Sequence, residues 1–502
     1  MEFKKLKFVS FESDSNPLMS LSDTTQKAYI IKYLRGLGVG SVMTEAEYFD
    51  RDYLDEFSSF YSRSAQVYTN RCQRLHFFIG ELREDDLEAA SESSCDLQKR
   101  YLGFVVIRPI PVAPFGRTVL KLYPNQDNGC RLRVTTPARD YTVNIIGIEL
   151  VVRGLAWQQQ DTGVAACATI CLWTMLHSSA YDDQHAIPTT AMITKSASIF
   201  GKRPFPSTSL TLQQITEAIH KQNLNSVIVE GNAYYSEASD KFIAFTRERF
   251  SSNLAGFVRS GYPVMITGYY KGSYMLGHAI CAVGFREGSS EEKEQSISMA
   301  DGDIEYVYIH DDNYGPNLRF SILEEDGCAI LKSAPPKEGV GDPTFIPQTI
   351  VAAVHDDVKI TVDELFNKAQ ASINFVNFII DHFYEQNNQT LLKKEFGCRF
   401  VTVREYFGSE LQSILHGPAL FRARKALYER APALSLHLGV ARLGSSESLL
   451  VDFLYDTTDS GRNMPCFGAV VFDEVLYKIL TEIISADELT VLGFPNVFIP
   501  AF

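Results

Sequence analysis

The stretch from Trp157 to Ser178, W-Q-Q-Q-D-T-G-V-A-A-C-A-T-I-C-L-W-T-M-L-H-S, constrains this chain more than any other. Small residues (Gly163, Ala165, Ala166, Ala168) surround Cys167, and the apolar positions after it (Ile170, Leu172, Trp173, Met175, Leu176) predict a buried helix that starts at the cysteine. A thiol at that place meets the positive end of the helix dipole and unpaired backbone N–H groups, which favour thiolate, the reactive form. Gln159 and Gln160 lie just upstream. A side-chain amide there can join a backbone N–H in holding the oxyanion of an attacked carbonyl.

A cysteine nucleophile needs a base, and His278 is the candidate, in G-H-A-I-C-A-V-G-F, a strand introduced by Gly277. A second apolar-alternating run, Glu305 to His310, ends in D-D-N-Y-G-P and leaves Asp311, Asp312 and Asn313 at a strand end. With the order Gln, Cys, His, then Asp or Asn, the chain resembles the papain-like cysteine peptidases, on the branch related to bacterial leader-peptide-processing peptidases. Four stretches carry the resemblance: Q-Q-D-T-G-V-A-A-C-A, the helix S-L-T-L-Q-Q-I-T-E-A-I, S-G-Y-P-V-M-I-T, and G-H-A-I-C-A-V-G-F with Y-I-H-D-D-N-Y-G-P. They span roughly residues 150 to 335. Ala168 departs from the glycine that usually follows the cysteine, and Gln160 stands one residue farther from Cys167 than the papain pattern has it.

The resemblance implies a nucleophile at Cys167, a general base at His278, an orienting Asp311 and an oxyanion donor at Gln160. Gly315 follows Asp311 at the offset of the family's D-P-x-x-G, while Asp312, Asn313 and Gln159 remain alternatives for their roles. It implies a cleft between a helical half and a β half, a protein or peptide substrate, and no cofactor or metal. The same triad serves peptide or isopeptide hydrolysis, acyl transfer of the transglutaminase kind, or deamidation, and an inactive papain-like scaffold would be a binding module. Trp157, Tyr274 and Tyr314 are aromatic candidates for the cleft. Cys171 and Cys281 read as core, and Cys167, Cys171 and His177 match no common zinc spacing.

At 502 residues the chain predicts about three domains. We expect an α+β architecture: a mixed N-terminal domain over 1–145, helical then β-rich; a papain-like catalytic domain over 146–335, with the cysteine on a helix and His and Asp on a sheet; and an α/β domain over 345–502, for recognition. A net charge of −14 argues against nucleic acid as partner. Nine unevenly spaced cysteines do not read as a disulfide framework. Without a secretory h-region or a bilayer-length apolar run, the expectation is a cytoplasmic protein with no membrane partner.

Along the flanks, Ser22–Leu34 predicts a helix closed by Gly36, and Thr44 with Glu47 a capping box opening a second helix to about Arg63. Leu75–Leu82 and Tyr101–Ile110 predict strands. Within the catalytic region a helix is expected over Ser239–Arg259, and the charged run 289–296 reads as a solvated loop. A Pro/Gly-rich stretch before Thr344 reads as a boundary, and Thr361 with Glu364 as the cap of a long helix. Asp456 and Asp459 read as an Asx-rich turn.

Overall fold

The computed structural model describes residues 6–124, 133–181, 186–198, 204–207, 209–235, 241–271, 277–288, 297–299, 304–333, 344–386, 394–431, 436–445, 448–458, 466–485 and 498–502. Its architecture is α+β, built on three main sheets. The first is a five-stranded antiparallel meander of Lys7–Ser10, Val39–Tyr48, Cys72–Ile79, Tyr101–Ile107 and Phe115–Leu120. Helix Thr25–Gly36 starts where the Thr24 side chain accepts the Lys27 N–H. Its buried Ile30, Tyr33 and Leu34 join Leu75, Phe77 and Trp157 in one apolar cluster.

The second sheet carries Val264–Tyr270, His278–Glu287, Ile304–Asp311, Gly315–Glu325, Cys328–Ser333, Thr344–His355 and Leu224–Glu230 in that order, with Arg133–Val134 paired to the histidine strand. Strand Thr344–His355 also pairs with Val264–Tyr270, so the sheet closes on itself as a small barrel. Helix Cys167–Met175 packs on the histidine strand. The third sheet contains Ile297–Met299, Lys394–Thr402, His437–Ser445, Leu449–Asp456, Cys466–Val471 and Phe498–Pro500. Helix Arg247–Arg259 bridges it to the barrel, and at Gly256 a Cβ would come within 2.9 Å of the Cys398 carbonyl oxygen. One apolar cluster runs through all three sheets, from Met43 through Val264 to Phe498.

Several expectations change. Thr44 and Glu47 cap nothing: they lie in strand Val39–Tyr48, and the helix starts at Arg51 with Asp50 accepting the Asp52 and Tyr53 N–H groups. Cross-strand pairing of Val42 and Met43 with Phe77 and His76 outweighs the local capping pattern. Of the helix expected over Ser239–Arg259, Lys241–Ala244 is a strand paired with Asn232–Tyr235, and the helix begins at Arg247 behind the Thr246 cap. Strand Thr344–His355 belongs to the barrel rather than to a C-terminal unit starting at 345, and Ile297–Met299 leaves the catalytic stretch for the third sheet. In both cases backbone pairing, with Val264–Tyr270 and Leu224–Glu230 for the first and Lys394–Thr402 for the second, and not the composition of the flanking loops, decides membership. The run 289–296, Tyr274, Asp459 and residues 334–343 of the expected boundary lie outside the described residues. Helix Val362–Gln386 does start at the Thr361/Glu364 box, with both reciprocal bonds made. No helix among the described residues is long and apolar enough to cross a membrane.

Candidate active site

The segment that delivers Cys167 is held by the edge of the first sheet. Thr118 and Trp157 exchange both backbone hydrogen bonds, and the Gln159 N–H donates to the Phe115 carbonyl. A turn follows, in which Asp161 Oδ1 accepts the N–H groups of Gly163, Val164 and Ala165. Only glycine fits at 163, since a Cβ there would lie 2.6 Å from the Phe60 ring. Behind the turn, Arg108 is buried and reaches Glu56 at 3.0 Å, Asp161 at 3.4 Å and the Gln159 carbonyl at 2.9 Å. Glu56 in turn accepts from Gln158 and Thr190. The chain then enters helix Cys167–Met175 at Ala166, which offers no capping side chain, so the first N–H groups of that helix have no side-chain cap among the described residues.

Across from Cys167 stands His278, at the start of its strand and nearly buried. Its Nε2 donates to Asp311 Oδ1 at 3.1 Å, and Asp312 Oδ1 lies 3.6 Å away. The Cys167 thiol stands beside the imidazole and adds to the rise of its pKa. With Nε2 turned to Asp311, Nδ1 is the ring nitrogen left free of that carboxylate. Asp311 is itself fixed: Tyr270 Oη donates to Oδ2 at 2.5 Å, the Asn313 N–H to Oδ1 at 2.9 Å, and Trp157 Nε1 to its carbonyl at 3.0 Å. Burial disfavours the charged imidazole, but the Asp311 charge and hydrogen bonds outweigh it and hold His278 well above the usual histidine range. Burial likewise opposes the Asp311 carboxylate, yet His278 and its other donors pull it below the ordinary value. Asp311 thus favours a proton on His278 beside the thiol.

The structure brings Cys167, His278, Asp311 and Gln160 together. Gln160 Nε2 donates to Asn313 Oδ1 at 2.6 Å, whereas Gln159 is buried and spends its side-chain oxygen on the Phe115 N–H. That places Gln160, not Gln159, at the cleft, and Asp311, not Asp312, on the imidazole. Trp157 is a buried strut rather than a cleft wall. His310 is also structural: Nε2 donates to the Leu155 carbonyl, Nδ1 accepts the Asn317 N–H, and burial lowers its pKa to about 4. Cys281 lies against Cys171 in the core, and His177 pairs with Tyr141 away from Cys167. His278, Asp311 and Asp312 offer ligand atoms within 4.8 Å of one another. A cation there would have to displace the His278–Asp311 hydrogen bond. Sequence reasoning missed Tyr270 and the Arg108–Glu56–Asp161 cluster. The one signal for the cluster was an arginine at the end of the apolar run Y-L-G-F-V-V-I.

No protein-family model, curated protein or solved structure matches this chain.

Asp312 is the anomaly of the site: buried, with both carboxylate oxygens lacking a hydrogen-bond partner. Burial raises its pKa, His278 opposes, Asp311 adds to the rise, and the result is about 7. An unfolded aspartate titrates near 3.9, so between about pH 4 and pH 7 the folded state holds the extra proton. Stability from this residue is thus lost as pH rises through that window. Asp312→Asn is expected to raise the melting temperature at about pH 8 and to change it little at about pH 4. Equal shifts in thermal melts at the two pH values would count against this.

The turn after Asp311 leans on the N-terminal helix. Gln26 and Tyr29 donate to the carbonyls of Asp312 and Asn317, and a Cβ on Gly315 would lie 2.3 Å from the Tyr29 ring. Gly315→Ala should cost about 1–3 kcal/mol by overpacking and slow thiol capture by an electrophile about tenfold through a displaced Asp311. Adding Tyr29→Ala should return part of that rate. A capture rate unchanged in Gly315→Ala would separate the turn from the site.

Proposed function

We propose that the chain is a papain-like thiol hydrolase that cleaves peptide or isopeptide bonds through Cys167, His278 and Asp311. The observation that carries this reading is the single imidazole bonded to a buried carboxylate and set beside a thiol at a helix start. His278 takes the thiol proton, and Cys167 Sγ attacks the scissile carbonyl carbon. The resulting oxyanion is met by the uncapped N–H groups at the start of the cysteine helix. Gln160 adds a donor, because its amide has two N–H bonds and Asn313 takes one. The imidazolium then protonates the leaving nitrogen as the C–N bond breaks, giving a thioester and a free amine. Water, deprotonated by His278, attacks the thioester and releases the acid and the thiol.

An amine in place of water would give acyl transfer by the same first half-reaction. Every described cysteine is a free thiol, which suits a reducing, cytoplasmic setting. The test is intact-mass labelling with a peptide vinyl sulfone, followed by peptide mapping. Single-site capture at Cys167, lost in Cys167→Ala, is the expected result. Capture spread over several cysteines, or none at all, would sink the reading. With a labelled peptide substrate, added amine separates the two outcomes, since transfer yields an amide adduct and hydrolysis only the acid.

A further inference from the structure

Between helix Thr25–Gly36 and the barrel lies a cavity of about 380 Å³, within the size range that takes a small organic molecule. Its floor is apolar, from Leu155 and Val283, and its sides are the aromatic rings of Tyr29, Tyr123 and Tyr308. Three cations reach it: Lys32, Arg133 and Arg319. None of the described lining side chains is a carboxylate, in a chain with 61 acidic and 47 basic residues. Arg133 is held in place by the carbonyls of Tyr123 and Pro124 and sits 5.9 Å from the centre of the Tyr308 ring. Lys32 and Arg319 are exposed at the mouth, and Arg319 lies over the Tyr306 ring at 5.3 Å. Neither makes an ion pair with a carboxylate among the described residues.

Two cations, Lys32 and Arg319, with no carboxylate partner among the described residues, set beside an aromatic hollow, define the complement of their ligand. We propose that this cavity binds a small organic anion with a flat apolar body. The tyrosine rings and the Leu155 and Val283 floor take the body by stacking and burial, and Lys32 and Arg319 take the anionic head. None of Cys167, His278, Asp311 and Gln160 lines the cavity, so anion binding is read apart from the thiol chemistry.

The probe is anilinonaphthalene sulfonate, titrated against the full chain and followed by its fluorescence. One saturable site is expected. Arg319→Glu and Lys32→Glu should each weaken binding about tenfold or more, with unchanged near-ultraviolet circular dichroism. Binding of the uncharged phenylnaphthylamine should be the same in all three chains. Naphthoate and naphthyl phosphate should displace the probe, and the stronger of the two names the head group as carboxylate or phosphate. Lys32 is an exposed helix residue, so its variant remains informative if Arg319→Glu fails to fold. Unsaturable binding, equal affinity in native and charge-reversed chains, or displacement by neither competitor overturns the proposal.

Discussion

In His278→Ala, capture of Cys167 by a peptide vinyl sulfone is expected to slow by about a hundred- to ten-thousandfold, the range over which a positioned acid–base group contributes. The expectation follows from geometry: the imidazole stands beside the thiol, is the base of the proposed reaction, and has its charged form favoured by Asp311. Asp311→Asn should fall in the same direction but less far, because Tyr270 and the Asn313 N–H still hold the 311 side chain in place while the charge is gone. Tyr270→Phe should cost less again, about tenfold, the scale of one hydrogen bond to a charged group. The ordering is the informative part. A His278→Ala chain that captures the probe at the native rate would remove the imidazole from the chemistry and leave Cys167 an ordinary accessible thiol.

Arg108→Ala carries the second large effect, on stability. The guanidinium is buried between Glu56 and Asp161 and also donates to the carbonyls of Ala113 and Gln159. Removing it leaves two buried carboxylates facing each other without a cation, which typically costs about 3–5 kcal/mol. The cost should concentrate where the cluster does its positioning, in the turn that delivers Cys167, so vinyl sulfone capture should fall with stability. Glu56→Gln in the Arg108→Ala background should recover part of the loss, since it removes one of the orphaned charges. Urea unfolding gives the measurement. A loss under about 1 kcal/mol in Arg108→Ala would mean that water reaches the cluster.

Cys167 at a helix start was legible in the sequence because both signals are local. Small residues before Cys167 and an apolar run after it specify a buried helix start, whatever surrounds it. The order of glutamine, cysteine, histidine and the acidic strand end was likewise readable. The capping box at Thr44 was misleading for a related reason, since a local pattern carries no information about a sheet edge contributed by Cys72–Ile79. The buried Arg108 cluster gave almost no signal, because its members stand 52 and 53 residues apart in the chain.

What the sequence determined by itself, then, was the set of residue types and the elements that bear them: a thiol at a helix start, a histidine at a strand start, and three polar residues at a strand end. Which of those three faces the imidazole was decided by tertiary structure. The register shift that pairs Asp311 with Gly315, the Tyr270 hydroxyl and the Tyr29 helix together turn Asp311 to His278. They leave Asp312 buried with no hydrogen bond to its carboxylate among the described residues. The choice of Gln160 over Gln159 came in the same way, from a sheet edge that claims Gln159 for its own hydrogen bonds. Periodicity records which face of an element is buried, but the rotation of side chains in a turn is set by contacts from distant segments, and those exist only once the chain has folded.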